Sequence, residues 1–397
     1  MAGRPIKALG NRTCLQTART PNMDRLAREG QVGQARTIPP GFDPGSDVAN
    51  LAILGYDPSK YYSGRAPIEA EYQGIKLGPK DVAYRCNIVN LKFNNGTGID
   101  GSRMIDYSAG HITTTESRKL ITFVDEKLGS RNIRFYPGVS YRHLMVWRNG
   151  REEIKCTPPH DITSKKVKGH LPDGRGSNVL YALMNKSNDI LPDHPVNKAR
   201  IKKGQATANS IWLWGQGRKL VIPKFKAKYG LKGALISAVD LTKGLGVCAG
   251  FEVLHVKGAT GYIDTNYKGK ADAAIRSLNT CDFVYVHVEA PDEAGHNGSI
   301  KDKIRAIEDF DSKVVGPVLK GLNKFGDYRV LLMPDHFTPI SVRTHTSDPV
   351  PFVIYSSDHT AQGKSGARSY SENICRMKTA MKFEKGHKLM DYFLQKK

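Results

Sequence analysis

No apolar stretch in these 397 residues approaches the ~20 residues that a membrane-spanning helix needs, and no hydrophobic signal region opens the chain. A soluble, cytoplasmic protein is the expectation, with no membrane partner. The six cysteines (Cys14, Cys86, Cys156, Cys248, Cys281, Cys375) contain no Cys-x-x-Cys spacing. That argues against structural zinc and against a disulfide framework. Cys281 opens an apolar run and reads as a core residue. Acid is scarce, with 38 acidic against 60 basic residues and a net charge of +22. Between Asp193 and Asp240 it is absent, while Lys198, Arg200, Lys202, Lys203, Arg218, Lys219, Lys224, Lys226, Lys228 and Lys232 fall there. A cleft for a small phosphorylated acid needs roughly three to five such cations to chelate carboxylate and phosphate. The rest could hold a polyanion or keep the surface solvated. No nucleic-acid module signature, internal repeat or low-complexity tract stands out, so nucleic acid is not the expected partner.

What is present supports a folded protein. Hydrophobic content of 39% and aromatic content of 8% allow a buried core. The length fits two domains, or one large α/β domain carrying an insertion. Thr20, Pro21 and Gly30 bracket an early helix holding Met23, Leu26 and Ala27. A Pro/Gly-rich loop from Ile38 to Ser46 leads into Val48–Gly55, read as a short buried helix. From about Lys76 to about Gln205 the pattern changes to short alternating segments, such as 82–89 and 141–147, with a helix around Glu116 to Leu128. Turn signals punctuate them at Asn94-Asn95-Gly96 and Pro172-Asp173-Gly174. Strand-helix alternation returns at Gly233–Ser237, and Ser299 starts a helix with Ile300, Ile304, Ile307, Phe310 and Val314 on one face. The economical architecture is a discontinuous α/β domain over 1–75 and 206–397, interrupted by an α+β domain over 76–205.

Three segments put aspartate and histidine where a two-metal phosphate site would need them. They are Pro291-Asp292-Glu293-Ala294-Gly295-His296, Pro334-Asp335-His336 and Arg343-Thr344-His345. The apolar runs 283–288 and 330–333 precede the first two and read as buried strands of a parallel sheet. Ligands of open α/β sheets bind just past such strand ends. Carboxylate with imidazole suits Mn2+, Zn2+ or Fe2+, and Mg2+ where carboxylates dominate. Taken singly, each segment also reads as a helix cap or turn. Ser46, at a loop-to-helix junction, is either an N-cap or a nucleophile activated by the helix and a cation, and the two roles are compatible.

The residues carry a resemblance. Thr20–Gly30 looks like the early helix of the alkaline phosphatase superfamily. Several runs narrow this: Pro44-Gly45-Ser46-Asp47-Val48-Ala49-Asn50-Leu51, Gly64-Arg65-Ala66-Pro67-Ile68-Glu69-Ala70, Asp106-Tyr107-Ser108-Ala109-Gly110-His111-Ile112, Trp212-Leu213-Trp214-Gly215-Gln216-Gly217 and Val288–His296. Together they resemble the archaeal-type, cofactor-independent phosphoglycerate mutases along nearly the whole chain. The resemblance implies an alkaline-phosphatase-like three-layer sandwich. It also implies interconversion of 3-phosphoglycerate and 2-phosphoglycerate through a phosphoserine on Ser46, without 2,3-bisphosphoglycerate. Two divalent ions are implied, Mn2+ or Mg2+ foremost, with Co2+ or Zn2+ as further fits. Asp292, His296 and His345 would hold one, and Asp335, His336 and Ser46 the other. The inserted domain would hold the glycerate. Arg65, Arg85, Arg142 and Lys243 are the nominated cations, Lys243 from a strand-end loop, with Asp106 and His111 as polar or acid-base partners. On spacing alone Arg85 and Arg142 could equally face solvent, and Asp106 and His111 could be a turn and a cap. Trp212 and Trp214 read as packing.

One motif departs from the family. Its members begin with an apolar strand ending in Asp-Gly-Met-Ala-Asp, whose first Asp is a metal ligand, whereas this chain reads Met1-Ala2-Gly3-Arg4-Pro5-Ile6. Gly3 stands where the second Asp would be. The expectation is exposed edges on neighbouring strands and one metal short of a carboxylate. The reading favoured here is an internal start of a longer chain over a retired enzyme. Two rivals stand beside the mutase: a phosphomonoesterase on the same scaffold, and an inactive basic protein that binds a polyanion.

Overall fold

β-Branched and aromatic runs form twelve strands among the described residues of the computed structural model, which are 1–93, 98–358 and 366–395. In chain order they are β1 (Gln31–Ala35), β2 (Val82–Lys92), β3 (Arg103–Asp106), β4 (Ile133–Tyr136), β5 (Arg142–Trp147), β6 (Ser210–Arg218), β7 (Gly233–Ile236), β8 (Glu252–Leu254), β9 (Phe283–Val286), β10 (Arg329–Leu332), β11 (Val350–Ser356) and β12 (Met381–Phe383). The chain divides into two units, residues 1–62 with 221–397, and residues 63–220. The sequence placed these divisions at 75/76 and 205/206. The difference arises because the helix Ala66–Tyr72 packs on β2, and β6 completes the sheet around β2. The turn expected at Asn94-Asn95-Gly96 lies outside the described residues. No helix among them is long and apolar enough to cross a membrane.

The first unit layers helices on both faces of its strands. β8-β7-β9 form a parallel sheet, while β10-β11-β1-β12 form a mixed one. β9 and β10 were expected to be neighbours in one parallel sheet, but each is an end strand of a different sheet. Alternation along both strands is consistent. Val284 and Val286 join clusters with Val318, and Leu332 packs with Leu319, so even positions meet the layer containing Ile300–Phe310 and Gly316–Leu322. Odd positions meet the other layer, where Tyr285 donates to Asn50 Oδ1 and Arg329 donates to Phe393 O. The early helix forms as Pro21–Glu29 with Thr20 at the N-cap position, but the Thr20 hydroxyl bonds Asp24 rather than a backbone N–H. Buried Asp311 accepts from the Asn22 and Met23 backbones and satisfies the orphan N–H groups. Ser299 does cap Ile300–Phe310, accepting from Asp302 N at 3.2 Å.

In the second unit, β2 is the organising strand, antiparallel to β5 and β6 over its first part and to β3 at its end. One face, Val82, Tyr84, Cys86 and Ile88, packs with residues of helices Thr114–Leu128 and Ser177–Ile190. The other carries Ala83, Arg85 and Asn87. Trp212 and Trp214 are buried, and all six cysteines are free thiols.

Candidate metal centre and active site

Ser46 opens the helix Ser46–Ile53 from its first helical position, because Gly45 takes the N-cap in an extended conformation. A Cβ on Gly45 would stand 2.5 Å from Asp47 Oδ1, so a larger residue there would displace the Asp47 carboxylate. The serine hydroxyl is thus released from capping. Its Oγ lies 2.9 Å from His336 Nε2, and that nitrogen is 3.4 Å from Asp335 Oδ2.

A second trio adjoins the first. Asp292 and His296 lie one turn apart on the helix Ala290–His296, with Oδ2 3.3 Å from Nε2. His345, in a loop and not at a strand end, places Nε2 3.4 Å from Asp292 Oδ1 and 2.9 Å from His296 Nε2. Asp292 also links the trios, with Oδ1 4.0 Å from His336 Nδ1, and donor atoms of Asp292, His336 and His345 gather within 4.8 Å. Gly295 lets this helix close on Thr338, whose carbonyl oxygen would stand 2.7 Å from an added Cβ.

The histidine orientations fit cation binding. His296 Nδ1 faces Arg343 O at 3.0 Å, and His345 Nδ1 faces Pro44 O at 3.3 Å. His336 Nδ1 lies 3.3 Å from Thr338 Oγ1, which donates its proton to Asp292 Oδ1. With a cation bound, each Nδ1 would carry the hydrogen and each Nε2 would turn a lone pair inward. Donors ~2.1 Å from one tetrahedral ion stand roughly 3.4 Å apart; the carboxylate–imidazole pairs of both trios stand at 3.3–3.4 Å, while His296–His345 and Ser46–His336 lie closer, at 2.9 Å. Without an ion a proton takes the role: burial lowers His296, but Asp292 overrides it and raises the imidazole to about 9. Burial would raise Asp292, yet hydrogen bonds from His296 and His345 hold it well below the usual carboxylate range. Burial drives His336 down despite the adjacent Asp335, so its ring is neutral.

Sequence reasoning missed the residues that orient this centre. Asn50, one turn after Ser46, donates to Asp335 Oδ2 at 3.1 Å and to Ser46 O at 2.7 Å. Thr37 Oγ1 donates to the Asp335 carbonyl at 2.6 Å. The four-residue spacing from Ser46 to Asn50 was a readable signal, whereas Thr37 and Thr338 offered none. Lys243 sits in the first turn of the helix Asp240–Ala249, not in the expected loop, with Nζ 3.4 Å from Asp240 Oδ1. Met1 lines a cavity of about 70 Å³ together with Ser46, Asp292 and Asp335. Gly3 N donates to Glu372 Oε1 at 2.9 Å.

The second unit gathers the remaining candidates. Glu69 Oε1 is 3.2 Å from Arg65 Nε, and its Oε2 is 3.2 Å from Arg85 Nε. The Arg85 contact is an ion pair without hydrogen-bond alignment, since its Nε has no bonded partner. Arg85 is only 4% exposed, so it does not face solvent, and its guanidinium lies 4.4 Å from the Trp214 ring. Burial lowers Arg85 to about 10, with Arg65 and Arg142 adding to the effect and Glu69 opposing it. Two guanidiniums, of Arg65 and Arg85, thus share one carboxylate. Arg142 is exposed beside Tyr141, and the exposed His111 meets the same ring edge-on. Asp106 takes the turn reading: Oδ1 accepts from Ser108 N and Oγ, and Oδ2 from Gly110 N. Burial opposes, but these bonds lower its pKa, which makes it a poor general acid and a good brace for the loop carrying His111.

Comparison with known proteins decides the family. A family model described as 2,3-bisphosphoglycerate-independent phosphoglycerate mutase matches residues 27–197. A Geobacter sulfurreducens protein named as a probable mutase of this type is 51% identical over 396 residues, covering 100% of this chain and 98% of its own. The chain belongs to the 2,3-bisphosphoglycerate-independent phosphoglycerate mutase family. The Methanosarcina mazei member is 53% identical over 360 residues, covering 90% of this chain and 89% of its own. A solved protein from Pyrococcus horikoshii superposes with a TM-score of 0.79 at 30% identity, covering 100% of this chain and 96% of its own. The cofactor-independent phosphoglycerate mutase from Thermoplasma acidophilum gives 0.61 at 27% identity, with the same coverage. The fold is therefore that of this family, alkaline-phosphatase-like.

Proposed function

We infer that this chain interconverts 3-phosphoglycerate and 2-phosphoglycerate by passing the phosphoryl group through Ser46, the glycolytic and gluconeogenic reaction for which its relatives are named. The observation that carries this reading is the Ser46 hydroxyl, freed from capping and 2.9 Å from a neutral His336 Nε2 inside a cage of two carboxylates and three imidazoles. Ser46 Oγ attacks phosphorus as the bond from phosphorus to the glycerate oxygen breaks. The glycerate then presents its other hydroxyl, whose oxygen attacks the phosphoserine and releases Ser46. Atoms balance without water or a phosphorylated cofactor.

Asp292, His296 and His345 would hold one divalent cation, and Asp335, His336 and Ser46 the other. Bound there, Mn2+ or Mg2+ would lower the serine pKa and neutralise charge on the transferring phosphoryl group. Asn50 and Thr37 fix Asp335, and Thr338 fixes the His336 tautomer. Lys243 supplies a cation for phosphate. Arg65, Arg85 and Arg142 take the carboxylate and hydroxyl end, with His111 on the loop that Asp106 braces. The polyanion rival loses support because Arg200 is buried on Glu116, Lys224 bonds the Val247 and Cys248 carbonyls, and Lys228 pairs with Asp391. Phosphorus NMR of the reaction from 3-phosphoglycerate separates mutase from phosphomonoesterase. An equilibrium with 2-phosphoglycerate is expected; free phosphate as the sole product would overturn the reading.

A further inference from the structure

One exposed imidazole in the second unit is held in a frame more rigid than an idle surface histidine needs. His160 lies on the short helical turn Pro159–Ile162, whose two end residues are buried. Trp212 Nε1 donates to Thr157 O at 2.8 Å and ties the preceding backbone to β6. The His160 side chain nevertheless stays 47% exposed, and its Nε2 stands 3.7 Å from Asp161 Oδ1, too far for a hydrogen bond. Its ring meets Trp214 edge-on at 5.3 Å between centroids and Tyr107 at 6.0 Å. One residue fixes both neighbours. Asn87, 1% exposed, accepts from Trp214 Nε1 at 3.0 Å and donates to Tyr107 O at 3.2 Å. This frame belongs to the arginine face of the sheet. Arg85 pairs with Trp214 across β2 and β6, and Asn87 pairs with Arg142 across β2 and β5. On one side of His160, the Trp214 ring carries the Arg85 guanidinium. On the other, Tyr107 packs on Tyr141 at 5.5 Å, and Tyr141 carries Arg142 and meets His111. The imidazole therefore sits within one aromatic wall whose two ends present cations.

We propose that His160 is a further substrate-binding residue, which hydrogen-bonds the free hydroxyl of the phosphoglycerate whose carboxylate the arginines take. The proposal rests on the mutase reading and adds a residue to its glycerate site. Guanidiniums only donate and suit anions, whereas a neutral imidazole both donates and accepts, as a hydroxyl does. A mutase must also hold two isomers. 3-Phosphoglycerate leaves a secondary hydroxyl free, and 2-phosphoglycerate a primary one. One imidazole serves either, because it can give a proton to the hydroxyl oxygen or take the hydroxyl's own. Asn87 keeps the wall in place, so little of the binding energy goes into ordering it.

The test uses the full chain with Mn2+ supplied. An equilibrated mixture of the two phosphoglycerates is titrated in by calorimetry, so that turnover contributes no heat, and steady-state kinetics are measured alongside. His160→Ala should bind at least about ten-fold more weakly and raise KM by a similar factor, with kcat changed less than about two-fold. His160→Asn, whose amide also donates and accepts, should recover most of the affinity. Near-UV circular dichroism from the tryptophans should be unchanged in both variants. Wild-type affinity in the alanine variant, an equal loss in the asparagine variant, or a fall in kcat at unchanged KM would overturn the proposal. So would a lost near-UV signal, which would assign His160 to packing. The two failures are separable. Protein that binds phosphoglycerates through His160 without interconverting them would overturn the mutase reading alone, and turnover indifferent to His160→Ala would overturn this proposal alone.

Discussion

Replacing Thr338 by valine removes a single hydroxyl from the centre and changes little else. That hydroxyl accepts from His336 Nδ1 and donates to Asp292 Oδ1, so it sets the His336 tautomer and ties the two trios together. The residue is 1% exposed, so water does not replace the lost partner. Its backbone stays anchored, because Lys303 Nζ donates to Thr338 O at 2.6 Å and Thr338 N donates to Ala2 O at 3.1 Å. A buried imidazole N–H left without an acceptor costs about 1–3 kcal/mol. Loss of a partner that orients a metal-binding histidine typically costs ~10–100-fold in metal affinity. Affinity is the sharper readout, since a two-unit chain need not unfold in one transition. Titration of Mn2+ into metal-free protein, followed by calorimetry, should show the valine variant at least ten-fold weaker, or about 1.4 kcal/mol. Thr338→Ser keeps the hydroxyl and should restore most of the affinity. Wild-type affinity in the valine variant, or serine as weak as valine, would refute the relay.

Ser46→Ala should leave circular dichroism unchanged while turnover falls to the rate without enzyme; residual wild-type rates would remove Ser46 as nucleophile. His296→Ala should lower bound metal in elemental analysis, and unchanged stoichiometry would exclude His296 as a ligand. Lys270 is fully buried with Nζ 3.3 Å from His287 O, and burial lowers its pKa from 10.5 to about 8. Between those values the unfolded chain binds the extra proton, so this group makes stability rise with pH across that window. Lys270→Met should flatten the rise and add up to about 3 kcal/mol at pH 7. Urea unfolding at pH 7 and pH 10 tests it, and an undiminished pH dependence would contradict the assignment.

Much of the site was legible because its chemistry resides in residue types at short spacings. Asp292 and His296 fall one helical turn apart, and Asp335-His336 follow an apolar strand, so local sequence already put donors together. What escaped depends on contacts between distant segments. Thr338 matters only because the Asp292 helix packs on it, and Asp311 replaces the Thr20 hydroxyl as capping acceptor because the helix Pro21–Glu29 meets it across the fold. Strand adjacency escaped for a related reason. The runs that form β9 and β10 are apolar enough for a sheet interior, but their pairing partners, β7 and β11, are decided by the fold as a whole. Arg85 illustrates the value of parity. It shares a face with Ala83 and Asn87, which is buried against Glu69 and Trp214, so a residue that alternation left open is fixed by what covers that face.

The central claim is tested most directly by an enolase-coupled assay on this chain with Mn2+ supplied and 2,3-bisphosphoglycerate omitted, using Ser46→Ala as the blank. Steady production of phosphoenolpyruvate from 3-phosphoglycerate above that blank is the predicted result. Folded, metal-loaded protein that gives no more than the blank would contradict it.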